Sequence, residues 1–223
     1  MRNKAKDEAE KAQRMQRVME VAFGLFAERG IDRVTMPEVA EASGVARPSL
    51  YRYFSSKTDL VIAIGTWKWQ EYDNWYRTTL SHEEKEEMTG AEYMRWYLDS
   101  FVDLYRNHGD ILRFNYYFNA FLRNEGANVE QKGPYTAMVD GIGRAFHVLY
   151  DKGVKDGTIR SDIGEQAMFS SSFHIMLAAA TRYAVGLVYV PEAASDPEAE
   201  LVLLEHALLR EFICKNTGCP ARS

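Results

Sequence analysis

The sequence predicts an all-α protein in two parts. A three-helix helix-turn-helix domain is expected over residues 1–60, with a flexible arm over 1–12, and a larger helical bundle over 61–223. Three observations carry this. Apolar residues recur at spacings of three and four, as in Met15, Val18, Met19, Ala22, Leu25 and Phe26. Helix-start signals recur along the chain, as in Thr35-Met36-Pro37-Glu38, Thr89-Gly90-Ala91-Glu92 and Asp196-Pro197-Glu198. No stretch alternates with period two, and neither repeats nor low-complexity segments occur.

Residues 1–12, MRNKAKDEAEKA, are charged and poor in large apolar side chains, so an arm or a frayed helix is expected. Arg2, Lys4 and Lys6 are either a solvated tail or contacts to a polyanion. Residues 13–29 form an amphipathic helix, and Gly30 stops it. The next helix begins at Thr35, where a hydroxyl and Glu38 cover orphan amides as a capping box. Pro37 sits in the first turn, where a missing N–H costs nothing. Gly44 ends this helix because the chain there needs a left-handed residue. Val45 and Leu50 fill the corner. Phe26, Val34, Val39, Leu50 and Phe54 are the expected core of the small domain.

The helix that follows, residues 47–54, is too short to be stable alone. Leu50 and Phe54, four apart, give it a buried stripe. Arg47, Ser49, Tyr51, Arg52 and Tyr53 are left for solvent or a partner. Ser56 and Asp59 then start another helix, whose free N–H groups and Lys57 suit a phosphate. This is the outline of a helix-turn-helix, whose second helix enters the DNA major groove.

The segment GVARPSLYRYFSSKTDL resembles the recognition segment of tetracycline-repressor-type (TetR/AcrR) regulators, and VMEVAFGLFAERGIDRVTMPEVA resembles the two helices before it. The likeness covers roughly residues 15–60. It implies a homodimeric, ligand-relieved repressor bound to a pseudo-palindromic operator, with the body serving ligand binding and dimerisation. Within it, Arg47, Ser49 and Arg52 are the candidates for base edges or nearby phosphates, and Thr35, Tyr51, Tyr53 and Lys57 for phosphates. Two positions depart from the family. Ala46 stands where Ser or Thr is common, so the recognition helix lacks a side-chain cap worth ~1 kcal/mol. Arg47-Pro48 replace a Lys-Gly type pair, and Pro48 presets and stiffens the first turn.

In the body, helices are expected over 57–80, 89–107, 110–124, 134–155, 163–190 and 196–215, the fifth of these capped by Asp162 and Glu165. The rings of Trp67, Trp96, Phe101, Tyr105, Phe114, Tyr117, Phe118 and Phe121 are either plain core or the wall of a planar, mostly apolar pocket; the resemblance favours the pocket. Asn115, His147 and His174, with Asn119 and Arg182, are the polar candidates to orient a ligand. The resemblance also implies that the last two long helices pair with their copies. Ala178 beside small neighbours, and Leu201, Leu204, Leu208 and Phe212, are the expected seam.

Composition sets the remaining bounds. The chain has 223 residues, 46% of them hydrophobic, enough for a sizeable core without disulfide staples. Cys214 and Cys219 fit no common zinc pattern and are expected as two reduced thiols of a cytoplasmic protein. The five histidines lie on separate elements, so no metal site is expected. The apolar run 167–189 is interrupted by His174 and Arg182 and reads as a buried helix. Net charge is −5, yet residues 1–60 carry 11 basic against 9 acidic side chains, and the remainder 16 against 23. A mildly positive head on a negative body suits a specific DNA reader. No phosphate loop, nucleophile elbow or zinc motif is present, so neither catalysis nor a cofactor is expected. The competing reading is an all-α small-molecule binder or enzyme whose first helices serve protein contacts.

Overall fold

The computed structural model describes residues 4–125, 129–187 and 196–214. Ten helices occur among them: α1 (Lys4–Arg29), α2 (Met36–Ser43), α3 (Arg47–Tyr53), α4 (Lys57–Arg77), α5 (His82–Glu87), α6 (Gly90–Asn107), α7 (Gly109–Glu125), α8 (Val129–Lys155), α9 (Glu165–Ala184) and α10 (Pro197–Phe212). They fall into two compact units. The head unit holds residues 1–70 and 113–138, and the body unit holds 71–112 and 139–223. Helices α4, α7 and α8 therefore contribute residues to both.

In the head unit the expected core is present. Phe26, Val34, Val39 and Leu50 are fully buried and Phe54 nearly so. Burying a side chain of this kind contributes roughly 1.5–3 kcal/mol, and this is what holds a seven-residue helix in place. The sequence does not signal that residues 113–125 of α7 join this core. Phe114 lies 5.5 Å from Phe23, centroid to centroid, and Phe118 lies 4.9 Å from Tyr135. Gly65 admits the Phe118 ring, since a Cβ there would stand 2.8 Å from it.

In the body unit α6, α9 and α10 pack on one another. The Thr89–Glu92 capping box opens α6 as the spacing requires. The same helix start is also met from a distant turn. Asp156 accepts from the Gly90 amide at 2.7 Å and Thr158 from the Ala91 amide at 2.9 Å. A Cβ on Gly90 would stand 2.0 Å from the Cα of Gly153, so these backbones touch. Among the described residues the only extended pairing is an isolated bridge between Ile159 and Ile213.

Several boundaries differ from the sequence expectation. The helix expected from residue 13 begins at Lys4. Of the two states the acidic stretch 81–88 allows, a loop or a short helix, the structure has the helix, α5, capped by Ser81 and Glu84 in a box of the usual spacing. Helix α8 begins at Val129 and carries Pro134 inside it. Gly164, with no side-chain cap, precedes α9. Asp162, expected as that cap, instead pairs with Arg160 at 2.7 Å, an interaction with a guanidinium that a cap amide does not match. Cys214 is disulfide-bonded, which overturns the expectation of two reduced thiols. Arg2, Cys219 and the loop expected at 191–195 lie outside the described residues. No helix among those described is long and apolar enough to cross a membrane.

Candidate nucleic-acid interface

The interface is built on the turn between α2 and α3. Thr35 and Glu38 close the capping box at the start of α2. The Thr35 amide donates to Glu38 Oε2 at 2.7 Å, the Thr35 hydroxyl to the same oxygen at 2.8 Å, and the Glu38 amide to Thr35 Oγ1 at 3.4 Å. Arg29 adds a contact to Glu38 Oε1 at 2.9 Å. The Thr35 amide first and the Arg29 guanidinium second hold the Glu38 carboxyl down at about 2. At the other end Gly44 takes the left-handed conformation, with φ 68°. The Gly44 amide donates to Glu41 O at 3.1 Å and the Val45 amide to Ala40 O at 2.9 Å, which covers the last carbonyls of α2.

Helix α3 then starts from Ala46 with no side-chain cap and Pro48 in its first turn. Leu50 is fully buried beneath it and Phe54 closes it, its amide donating to Leu50 O at 2.9 Å. Pinned on this underside, α3 turns its polar side chains outward. Arg47, Pro48, Tyr51 and Arg52 are exposed, and Ser49 and Tyr53 half-buried. Tyr51, at 48% exposure, is a large ring left uncovered by its own chain. Arg52 leans back, donating to Ser49 Oγ at 3.4 Å with its guanidinium 5.9 Å from the Tyr53 ring centre.

Two expected phosphate contacts are differently placed. The single hydroxyl proton of Thr35 goes to Glu38, so the residue serves the helix start first. Lys57 is half-buried, its ammonium 5.6 Å from the centre of the Phe121 ring. Burial lowers its pKa, against Asp32, Glu125 and Glu38, which raise it. The α4 start is capped by Ser56, whose hydroxyl accepts from the Asp59 amide at 3.1 Å.

A fully buried leucine under a short helix of outward arginines and tyrosines is the geometry of a major-groove reader, and residues 18–64 match the model of bacterial regulatory proteins of the tetR family. The match covers this head and not the body, so in residues 18–64 the chain is similar to the tetR family. Among curated relatives, the HTH-type transcriptional regulator AcrR of Shigella flexneri is 36% identical over 64 residues, 29% of each chain. That match spans less than a third of the relative's length. The HTH-type transcriptional repressor KstR2 of Rhodococcus jostii is 25% identical over 169 residues, covering 74% of this chain and 77% of the relative. Among solved structures, the regulator FadR of Bacillus subtilis, in complex with stearoyl-CoA, aligns with a TM-score of 0.66 at 17% identity, covering 87% of this chain and 97% of that one. This last likeness speaks for the all-α fold.

The residues expected to line a ligand pocket are divided between the two units. Trp67, Phe114, Asn115, Tyr117, Phe118 and Phe121 belong to the head unit, and Trp96, Phe101, Tyr105, His147 and His174 to the body unit. Phe114, Asn115, Phe118 and Phe121 are buried in the head core. His147 and His174 are exposed, and His147 pairs with Glu165 at 2.9 Å, which raises its pKa. Within the body unit a different ring cluster forms from Tyr97, Phe101, Phe146, Phe169 and Phe173, with neighbouring centroids 5.1–5.8 Å apart. Its one side-chain hydrogen bond joins the Tyr97 hydroxyl and Ser172 Oγ at 3.4 Å. Phe169 and Phe173 flank the Ser170-Ser171-Ser172 run, whose small side chains mask them in the sequence.

The residues of the expected seam differ in burial. Leu201 and Phe212 are buried inside the body unit, Leu204 and Leu208 are half-buried, and Ala178 is exposed. The inner stripe of α10 is Leu201, Glu205, Leu209 and Phe212. Following leucines alone skips Glu205, because burying a carboxylate is ordinarily too costly to expect. The outward apolar side chains are Leu203 on α10, 62% exposed, and Ile175 on α9, 42% exposed.

Proposed function

We propose that the protein is a transcriptional regulator that binds double-stranded DNA as a homodimer, acts as a cytoplasmic repressor, and is released by a small, largely apolar or aromatic effector. The observation that carries this is α3, with Leu50 fully buried below and Arg47, Tyr51 and Arg52 exposed above. In this reading residues 1–60 act as the DNA-binding part and 61–223 as the effector-binding and dimerising part. Two heads meet successive major grooves of a pseudo-palindrome, about one helical turn apart. Arg47 and Ser49 take base edges; an arginine suits guanine through its paired donors. Arg52, Tyr51, Tyr53 and Lys57 hold phosphates and fix register. The named activity of KstR2 as a repressor supports the direction of control. The acyl-CoA on FadR supports an apolar effector. For release, the effector must bind the DNA-incompetent state more tightly than the competent one, since equal affinity shifts nothing. The exposed faces of α9 and α10, around Ile175, Ala178 and Leu203, are the proposed seam.

The test is binding of operator DNA by variants across a salt series. Lys57→Ala is expected to weaken binding to all sequences alike and to lower the salt slope by about 1. Arg47→Ala is expected to relax preference at one base position, at a cost of roughly 1–3 kcal/mol. If both variants bind every sequence as the parent chain does, α3 is not the reading helix.

A further inference from the structure

A hydroxyl inside a helix ordinarily turns back on its own chain and donates to the carbonyl three or four residues earlier. Ser43 does so to Val39 O at 2.7 Å, Thr66 to Ile62 O at 2.9 Å and Ser172 to Phe169 O at 3.0 Å, and Ser171 bonds Ala167 O. Thr181, in the last turn of α9, does not. It is 9% exposed, and its Oγ1 has no hydrogen-bond partner, the one such buried side-chain oxygen or nitrogen among the described residues. Leaving a buried hydroxyl unmet costs more stability than a typical hydrogen bond adds, so its presence needs an account.

Thr181 belongs to the body unit, where four-residue spacing puts Phe169, Phe173, Leu177 and Thr181 on one stripe of α9. Phe173 stands 5.8 Å from Phe101 of α6, and Phe101 stands 5.5 Å from Tyr97, centroid to centroid. The other hydroxyls nearby in the chain are engaged. Tyr97 and Ser172 meet at 3.4 Å, and Tyr183 is hydrogen-bonded to Glu200. A water does not answer Thr181, because a buried water needs about two to four polar partners and the stripe before it is leucine and phenylalanine. We propose that Thr181 is the hydrogen-bonding point for an effector of the body unit, a neutral and mostly apolar molecule that carries one hydroxyl or carbonyl oxygen. This rests on the reading of the protein as an effector-controlled regulator, and it names the class of effector. A threonine hydroxyl both donates and accepts, so it serves either oxygen. The stripe carries no charged side chain, so a charge on the ligand would be buried without a partner. The Thr181 oxygen is closed off from solvent, so the effector enters by displacing a neighbour. Phe173 and Leu177, only half-buried, are the side chains that give way.

The decisive experiment is equilibrium dialysis of the full chain, without DNA, against three naphthalenes of one shape: 2-acetylnaphthalene, 1-(2-naphthyl)ethanol and 2-ethylnaphthalene. The first carries a carbonyl, the second a hydroxyl and the third neither. The affinity of the better oxygen compound, divided by that of the hydrocarbon, is expected to fall roughly 10-fold from the parent to Thr181→Val. Thr181→Ser, which keeps the hydroxyl, is expected to keep the ratio. Taking a ratio cancels the apolar contribution common to the three. With no naphthalene present, Thr181→Val is expected to resist urea at least as well as the parent, because it keeps the branched shape and drops an unmet hydroxyl. An unchanged ratio, or a parent that binds none of the three, overturns the proposal. So does a Thr181→Val chain that loses stability or fails to fold, because the hydroxyl then has a partner within the chain. Operator binding is read separately. A parent that binds DNA but whose ratio is insensitive to Thr181→Val defeats this inference alone, and one that shows the change but binds no DNA defeats the regulator reading alone.

Discussion

Helices α3 and α10 solve the problem of a half-buried helix in opposite ways. In α3 the buried side chain is Leu50, and every charged group, Arg47 and Arg52, is in solvent. In α10 a carboxylate, Glu205, is buried among Leu201, Leu209 and Phe212, while Leu203 is in solvent. The first arrangement suits a partner that is polar and anionic, because the outward face has donors to give and a rigid apolar foot to stand on. The second suits a partner that is apolar, because a 62% exposed leucine gains by being covered. The head unit separates charge from core, whereas the body unit mixes them.

The sharpest way to break the contrast is to remove the foot of α3. Leu50 is fully buried and shares the head core with Val34 and Val39. Leu50→Ala is expected to cost about 2–5 kcal/mol of stability, the range for a buried leucine cut to alanine. DNA binding should vanish at temperatures where the rest of the chain is still helical. Urea unfolding followed by circular dichroism, beside a gel shift, reads both. A variant that keeps its DNA affinity would mean that α3 is held by something other than its apolar underside.

A smaller effect is expected from the outer face of α10. Leu203→Asp places a charge where the proposed seam would bury it, once on each copy. Dimer dissociation is expected to rise by on the order of 100-fold, since a buried unpaired charge at an interface costs several kcal/mol. The stability of a single copy should change by less than about 0.5 kcal/mol, as for other exposed positions. Sedimentation equilibrium measures the first and unfolding at low concentration the second. An unchanged association constant would move the seam elsewhere.

These two helices also mark where the sequence was legible. The foot of α3 could be read from Leu50 and Phe54 because four-residue spacing on a short helix leaves one buried face. The caps at Thr35, Thr89 and Asp196 could be read because a hydroxyl or carboxylate and an acid at fixed offsets have few other uses. The inner face of α10 was not legible because Glu205 interrupts the apolar stripe, and its ion-pair partner, Arg95, lies 110 residues earlier in the chain. The division of the rings between the two units was not legible for a related reason. Rings on adjacent helices share a spacing whether they face one core or two, and nothing local separates Phe118, set on Gly65, from Phe101, set among Tyr97 and Phe173. The extra turns at the front of α1, from Lys4, were hidden because charged residues carry no period.

The finest test of the contrast lies at the start of α3. Helices α2, α5, α6 and α10 each begin with a side chain that accepts from a first-turn amide, whereas α3 begins at Ala46, which has none to offer. In its first turn Pro48 has no amide to give, and the Ser49 amide donates to Ala46 O at 2.8 Å. Ala46 is exposed, and its backbone is extended at ψ 136°. Ala46→Ser offers the Ser49 amide a second acceptor and is expected to raise stability by about 0.5 kcal/mol, the low end for a supplied N-cap. If the Ser49 amide turns to a DNA phosphate in the complex, the serine hydroxyl competes for that donor, and affinity should fall slightly at constant salt. A gain in stability with a small loss of affinity places a phosphate at the front of α3. A gain in both would mean that the missing cap is simple under-stabilisation and that DNA approaches from another side of the helix.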